Sequence, residues 1–162
     1  MADLSFTVRP LVSRDSAVVA AFAVAHWGSV TMVSGGTLHQ LPKLAGFVAE
    51  DDQRWLGLVT YQIGDGQCEM VSLDSALRQQ GVGTALLAAV EAHARAAACH
   101  RVWLVTTNDN RNALRFYLHR GYRLTAIHRD AVDRARLLKP EIPLIGEAGV
   151  AIHHELELAK EL

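Results

Sequence analysis

The chain has 162 residues, half of them hydrophobic and a fifth charged, with a formal net charge of −1. That is one domain's worth of sequence with material for a single core, so residues 1–162 read as a single domain. The near-neutral balance excludes a broad electrostatic field for nucleic acid or an anionic membrane, and no apolar stretch reaches the ~20 residues a membrane helix needs.

The opening MADLSFTVRP has an early acid where a secretory leader would be basic and then apolar. Cys68 and Cys99 are the only cysteines, which makes neither a disulfide framework nor a zinc site. Both features point to a reducing cytoplasm.

In chain order, Leu4 to Val8 alternates and predicts a first strand. Ser13 and Asp15 are caps for a helix running to Ala25. Trp27 to Gln40, with Gly28, Gly35 and Gly36, reads as a loop holding one short strand, Val30 to Val33. Three strands follow, Gly46 to Ala49, Trp55 to Ile63 and Gln67 to Leu73, joined by short Gly/Asp turns that favour antiparallel hairpins. Val82, Leu86, Leu87, Val90 and Ala94 then recur at helical spacing and predict a helix over Gly83 to Ala98. Arg101 to Thr106 is a compact apolar run and reads as a buried strand. Asn108, Asp109 and Asn110 offer caps for a helix ending at Gly121, and Tyr122 to His128 is a further strand. Asp130 to Leu138 reads as a helix stopped by Pro140, and the alternating IHHELEL, Ile152 to Leu158, as the last strand. Antiparallel strands followed by a strand–helix–strand–helix–strand run imply a mixed α/β (α+β) domain with one sheet and helices on its faces.

Arg78-Gln79-Gln80-Gly81-Val82-Gly83-Thr84 lies between a strand and a helix start. Glycines let backbone approach a ligand closely, and the first helical turn has unpaired N–H groups at the positive end of the dipole. Phosphate is the natural partner, and Arg78 could add a charge-assisted bond. The other reading is a tight packing turn. No Gly-Lys-Ser/Thr follows, so it is not a P-loop, and the third glycine of a dinucleotide fingerprint is absent.

Downstream stand Asn110, Ala113 and Tyr117, then Gly121-Tyr122. With Arg78, Gly81 and Gly83 matching Q/R-x-x-G-x-G/A, and Leu73 eight places before the first glycine, the chain resembles the GNAT superfamily of N-acetyltransferases. Asn110, Ala113, Tyr117, Gly121 and Tyr122 match its N-x-x-A-x-x-x-Y and G-Y pattern. The specific residues lie between Leu73 and Tyr122.

The resemblance implies a mostly antiparallel sheet of about seven strands with helices on both faces. It implies that acetyl-CoA donates an acetyl group to an amine of a small molecule or protein by direct attack. The strand ending at Leu73 would splay from Arg101 to Thr106 to admit pantetheine, with Val71 and Leu73 along the arm. Pyrophosphate would rest on the N–H groups of Gln79, Gln80, Gly81, Val82, Gly83 and Thr84. Asn110, Ala113 and Tyr117 would flank the arm, and N–H groups from Val71 to Leu73 would steady the oxyanion.

On the same footing, Tyr117 is the candidate acid for the leaving thiolate, and Glu69 the candidate base. A packed tyrosine and a strand-end carboxylate are the alternatives. Alternation puts Glu69 on the face of Val71 and Leu73 unless a bulge intervenes. Trp27, Gly28 and Lys139 are candidates for the acceptor side, and Arg134 and Arg136 share the segment after His128. That segment reads either as an acceptor site or as a cover on the sheet edge. Cys68 reads as a core residue. The histidines are scattered, and His153 and His154 would point to opposite faces of a strand, so no metal site is expected. A domain that binds acyl-CoA without transferring it is the rival reading, and a monomer and a homodimer both fit.

Overall fold

The computed structural model describes residues 5–162. The strands are β1 (Thr7–Pro10), β2 (Thr31–Ser34), β3 (Thr37–Gln40), β4 (Ala45–Glu50), β5 (Trp55–Gly64), β6 (Gln67–Ser75), β7 (Arg101–Thr107), β8 (Arg123–His128) and β9 (Glu155–Glu161). The helices are α1 (Ser16–Trp27), α2 (Val82–Ala96), α3 (Arg111–Leu118) and α4 (Ala131–Leu138). Seven strands form one sheet in the order β1-β4-β5-β6-β7-β9-β8, and β2-β3 is a separate hairpin. Every pair in the large sheet is antiparallel except β6–β7. This is the expected mixed α/β fold of about seven strands.

Helices cover both faces because the buried residues divide between them. One core joins Leu86, Leu87 and Val90 of α2 and Tyr117 of α3 to Val59, Met70, Leu104 and Leu158 of the sheet. The other joins Val19, Phe22 and Ala23 of α1 to Leu58 and Val71.

Several boundaries differ from the sequence reading. The first strand starts at Thr7 rather than at Leu4, which lies outside the described residues, and runs to Pro10 in register with Glu50 to Phe47. Asp15 does not cap α1 through its side chain. Arg9 takes that carboxylate at 2.8 Å and the Val12 N–H donates to it. α1 runs on to Trp27, where Gly28 at φ 72 closes it with its N–H on the Val24 carbonyl.

The segment read as a loop with one strand is a hairpin. Gly35 and Gly36, at φ 56 and 80, make the two-residue turn whose twist suits antiparallel strands. α3 ends at Leu118, three residues before Gly121.

The last strand begins at Glu155, three residues later than the alternation implied. His153 and His154 therefore precede the strand and do not alternate across it. Both of their backbone N–H groups donate to Asn108 Oδ1 at 2.9 Å, which holds the chain off the ladder there.

Candidate active site

β6 and β7 pair only at Gln67–Glu69 with Arg101–Trp103. Beyond that they part, because β6 is bulged. Met70 pairs with Tyr61 and Ser72 with Thr60, which leaves Val71 as the extra residue. The bulge also corrects the expected alternation. Val71 shares the α1 face, where Glu69 meets Ser34, whereas Leu73 packs with the α2 core. Glu69 and Leu73 therefore lie on opposite faces.

The gap between the parted strands is a cleft of about 330 Å³. Val71, Leu73, Asn110, Ala113, Tyr117, Trp27 and Lys139 line it, together with Met32, Val132, Ile142 and Glu155. Glu69 and Gly28 do not. Glu69 lines a neighbouring hollow of about 540 Å³ with Gln62, Arg101, Trp103 and Glu157. Gly28 is the C-cap of α1.

The Arg78–Thr84 turn stands at the head of α2. Gly81 is the N-cap at φ 78, a conformation that favours glycine, and no side chain caps the helix. The first intrahelical bond is Ala85 N–H to the Gly81 carbonyl, which leaves the N–H groups of Val82, Gly83 and Thr84 for an outside acceptor. Val82 itself is core, so only its backbone can serve. A Cβ on Gly83 would touch the Phe116 ring at 3.5 Å, so α2 and α3 pack closely there. Gln79 is also left-handed, at φ 58, while Arg78 and Gln80 are exposed. Thr84 Oγ1 accepts from Arg120 at 2.7 Å.

Asn110 is the N-cap of α3, its Oδ1 accepting from the Ala113 N–H at 3.0 Å. That bond fixes the helix that carries Tyr117. Burial raises the Tyr117 pKa well above the ordinary tyrosine value, and Arg120 opposes only weakly, so the hydroxyl keeps its proton at neutral pH. Tyr122 donates to Glu91 at 3.1 Å, whereas no protein acceptor takes the Tyr117 hydroxyl among the described residues.

Glu69 is buried with both oxygens occupied, Oε1 by Ser34 at 2.8 Å and Oε2 by Gln62 at 2.9 Å. His39 Nε2 stands 3.9 Å from Oε1. Cys68, on the other face, is pushed up to about 12, chiefly by burial, and is a core thiol.

Lys139 Nζ donates to the Thr31 carbonyl at 2.7 Å, tying the segment after α4 to the hairpin. Arg136 is spent in the same way on the Ile142, Pro143 and Ile152 carbonyls. Among the described residues no group of three His, Cys, Asp or Glu is placed to hold a metal ion. None of the described helices is long and apolar enough to cross a membrane.

Sequence reasoning missed Glu155. It lies in the cleft, buried, at the first position of β9. The signal was present in the repeat E-L-E, but its two glutamates share one face of the strand and no spacing marks which of them stands at the cleft.

The Acetyltransferase (GNAT) family model matches residues 19–122, well over half of the chain. The chain belongs to this family. The uncharacterized protein YdhI of Bacillus subtilis is 43% identical over 140 residues, 86% of this chain and 88% of that protein. Two of the solved structures that share the fold come from Bacillus species. One is the IAA acetyltransferase from Bacillus cereus ATCC 14579, with TM-score 0.74, 18% identity and coverage of 98% of this chain and 100% of that one. The other is a Bacillus subtilis acetyltransferase in complex with CoA, with TM-score 0.70, 15% identity and coverage of 98% and 99%.

Proposed function

We propose that this GNAT protein transfers the acetyl group of acetyl-CoA to an amino group. The observation that carries the reading is the cleft between β6 and β7, with free N–H groups at the head of α2 and the Tyr117 hydroxyl in its wall. It is supported by the family membership and by the CoA held by the Bacillus subtilis structural neighbour.

Pyrophosphate rests on the N–H groups of Val82, Gly83 and Thr84, with Arg78 beside it and Gln79 to Gly81 forming the turn. Pantetheine runs along Val71 and Leu73 as an added strand, past Asn110 and Ala113. The bulge at Val71 frees backbone N–H groups for the oxyanion that forms when the amine attacks the thioester. Tyr117 then gives its proton to the departing sulfur. The amine comes from the α1 face, past Trp27, Lys139 and the β2–β3 hairpin. This face also holds Glu69, whose carboxylate either takes the amine proton or fixes the hairpin through Ser34.

The test is thiol release from acetyl-CoA across a panel of amines: amino acids, peptides with free N-termini, polyamines and aminoglycosides. Turnover with at least one amine supports the reading. Binding of acetyl-CoA without turnover on any amine would favour an acyl-CoA-binding module instead.

A further inference from the structure

We propose that Glu155 is the catalytic base of this site, taking the proton of the incoming amine, and that Glu69 is a positioning residue that holds the hairpin over the cleft. The proposal rests on the N-acetyltransferase reading above.

Three carboxylates share the α1 face near the cleft, and their surroundings differ. Glu157 is fully engaged, by Arg101 at 2.8 Å, His128 at 2.9 Å and Thr125 at 2.9 Å. Burial works to raise its pKa, but those hydrogen bonds outweigh it and hold the group below the ordinary glutamate value. Glu69 has one neutral donor on each oxygen, and neither oxygen opens into the cleft that holds Tyr117.

Glu155 is different on each count. It lines the same cleft as Tyr117, and it lines the adjoining hollow of about 450 Å³ between the hairpin turn and α4 as well. It thus stands where a space open on the α1 side meets the cleft proposed for the thioester. No cation pairs with it at salt-bridge distance among the described residues, and only the backbone N–H of Gly35 is directed at it.

The charged groups facing Glu155 come from every element around it. His128 of β8 and Arg134 of α4 pull its pKa down weakly, and Glu69 of β6 pushes it up. Glu157 on its own strand is neutralised by its partners, and Lys139 across the cleft is committed to the Thr31 carbonyl. Burial is the largest influence, and the net effect is a pKa above the ordinary 4.5. A carboxylate raised in this way is a better proton acceptor near neutral pH than an exposed one.

Gly35 links the two glutamates. Its N–H is directed at Glu155, and a Cβ built on it would stand 3.9 Å from Glu69 Oε1 and 3.5 Å from the Trp103 ring. Glu69, through Ser34 on the neighbouring residue, therefore sets the position of the donor that faces Glu155.

The step balances as follows. The ammonium passes one proton to Glu155, and the freed lone pair forms the N–C bond at the thioester carbonyl. The C–S bond breaks with its electron pair on sulfur, which takes the Tyr117 proton. The nitrogen loses its second surplus proton through solvent to the Tyr117 phenolate, and Glu155 releases its own to bulk water. The products are the amide, CoA thiol and one proton.

The experiment compares wild type, Glu155→Gln and Glu69→Gln on one amine acetylated in the thiol-release panel, over a range of pH. CoA binding by thermal shift checks that each variant is folded. Glu155→Gln is expected to lower kcat by about 10²- to 10³-fold near neutral pH, with the gap closing as pH approaches the pKa of the amine. Glu69→Gln is expected to alter KM and to scale the rate without changing its pH profile. Glu155→Asp, which keeps the carboxylate, restores part of the rate if Glu155→Gln proves unstable. A wild-type pH profile in Glu155→Gln, or a pH-dependent loss in Glu69→Gln alone, overturns the proposal. If no amine in the panel is acetylated, it is the N-acetyltransferase reading that fails, a different result from an active enzyme indifferent to Glu155.

Discussion

Replacing Tyr117 by Phe removes one oxygen and keeps the ring, so it isolates the hydroxyl. The ring packs edge-on against Phe116 and Tyr122, at centroid distances of 5.0 and 5.5 Å, and Phe preserves both contacts. The hydroxyl serves no protein acceptor, so its loss strands no buried partner, and stability should change by no more than ~0.5 kcal/mol. The rate should fall on the order of 10²-fold, the usual value of a general acid, which is ~2.7 kcal/mol in the barrier. Tyr122→Phe is the internal control. That hydroxyl donates to buried Glu91, and its loss should cost about 1.5–3 kcal/mol, or about 3–12 °C in Tm for a chain of this size. The two variants should therefore separate completely, one slow and stable, the other fast and less stable. Thiol release from acetyl-CoA and thermal melting measure both. A Tyr117→Phe enzyme that turns over at the wild-type rate would refute the reasoning and make Tyr117 a packing residue.

Gly81→Asp should cost about 1–2 kcal/mol for an L residue at the left-handed φ of 78, which leaves the protein folded, and should abolish CoA binding, since a Cβ there meets open space while the carboxylate faces the phosphate site. A retained thermal shift with CoA would contradict it. Gly57→Ala should destabilise by about 1–3 kcal/mol, because its Cβ would come within 2.7 Å of Val82 Cγ1 and 2.9 Å of Leu86 Cδ1. It should also weaken CoA binding by pushing the head of α2 off the sheet, and an unchanged melting curve would exclude this. Burial raises the Glu155 pKa above 4.5, so the unfolded chain loses that proton first as pH rises. Wild type should then lose Tm relative to Glu155→Gln as pH climbs from below 4.5, and level off once the folded group has ionised. A constant difference in Tm would show that Glu155 is not perturbed.

Much of this was legible in the sequence because local signals and tertiary needs agreed. The helical spacing of Val82, Leu86, Leu87 and Val90 reports the core face of α2 directly, and all four are buried. The glycine turn and the Asn110 to Tyr117 pattern mark where an anion and a helix cap are needed. What was not legible depended on contacts between distant segments. The Val71 bulge follows from register between β5 and β6, and no residue type announces it. The β2–β3 hairpin hid behind glycines that also suit a loop, because the I′ turn is told from a flexible one only by the strands on either side. The start of β9 is set by Asn108, more than forty residues away, so alternation alone placed it too early. The segment after His128 reads equally as an acceptor site or a cover because charge does not show what a cation binds, and Arg136 within it is a brace for three carbonyls.

The central claim is that an acetyl group passes from acetyl-CoA to nitrogen in the cleft between β6 and β7. The measurement that meets it most directly is mass spectrometry of an amine panel incubated with acetyl-CoA and the protein, with fragmentation to locate the added group. The account predicts one acetyl group on an amino nitrogen, with an equal amount of CoA thiol released and both lost in Gly81→Asp. Acetyl-CoA left intact with every amine, or acetyl found only on oxygen, would contradict it.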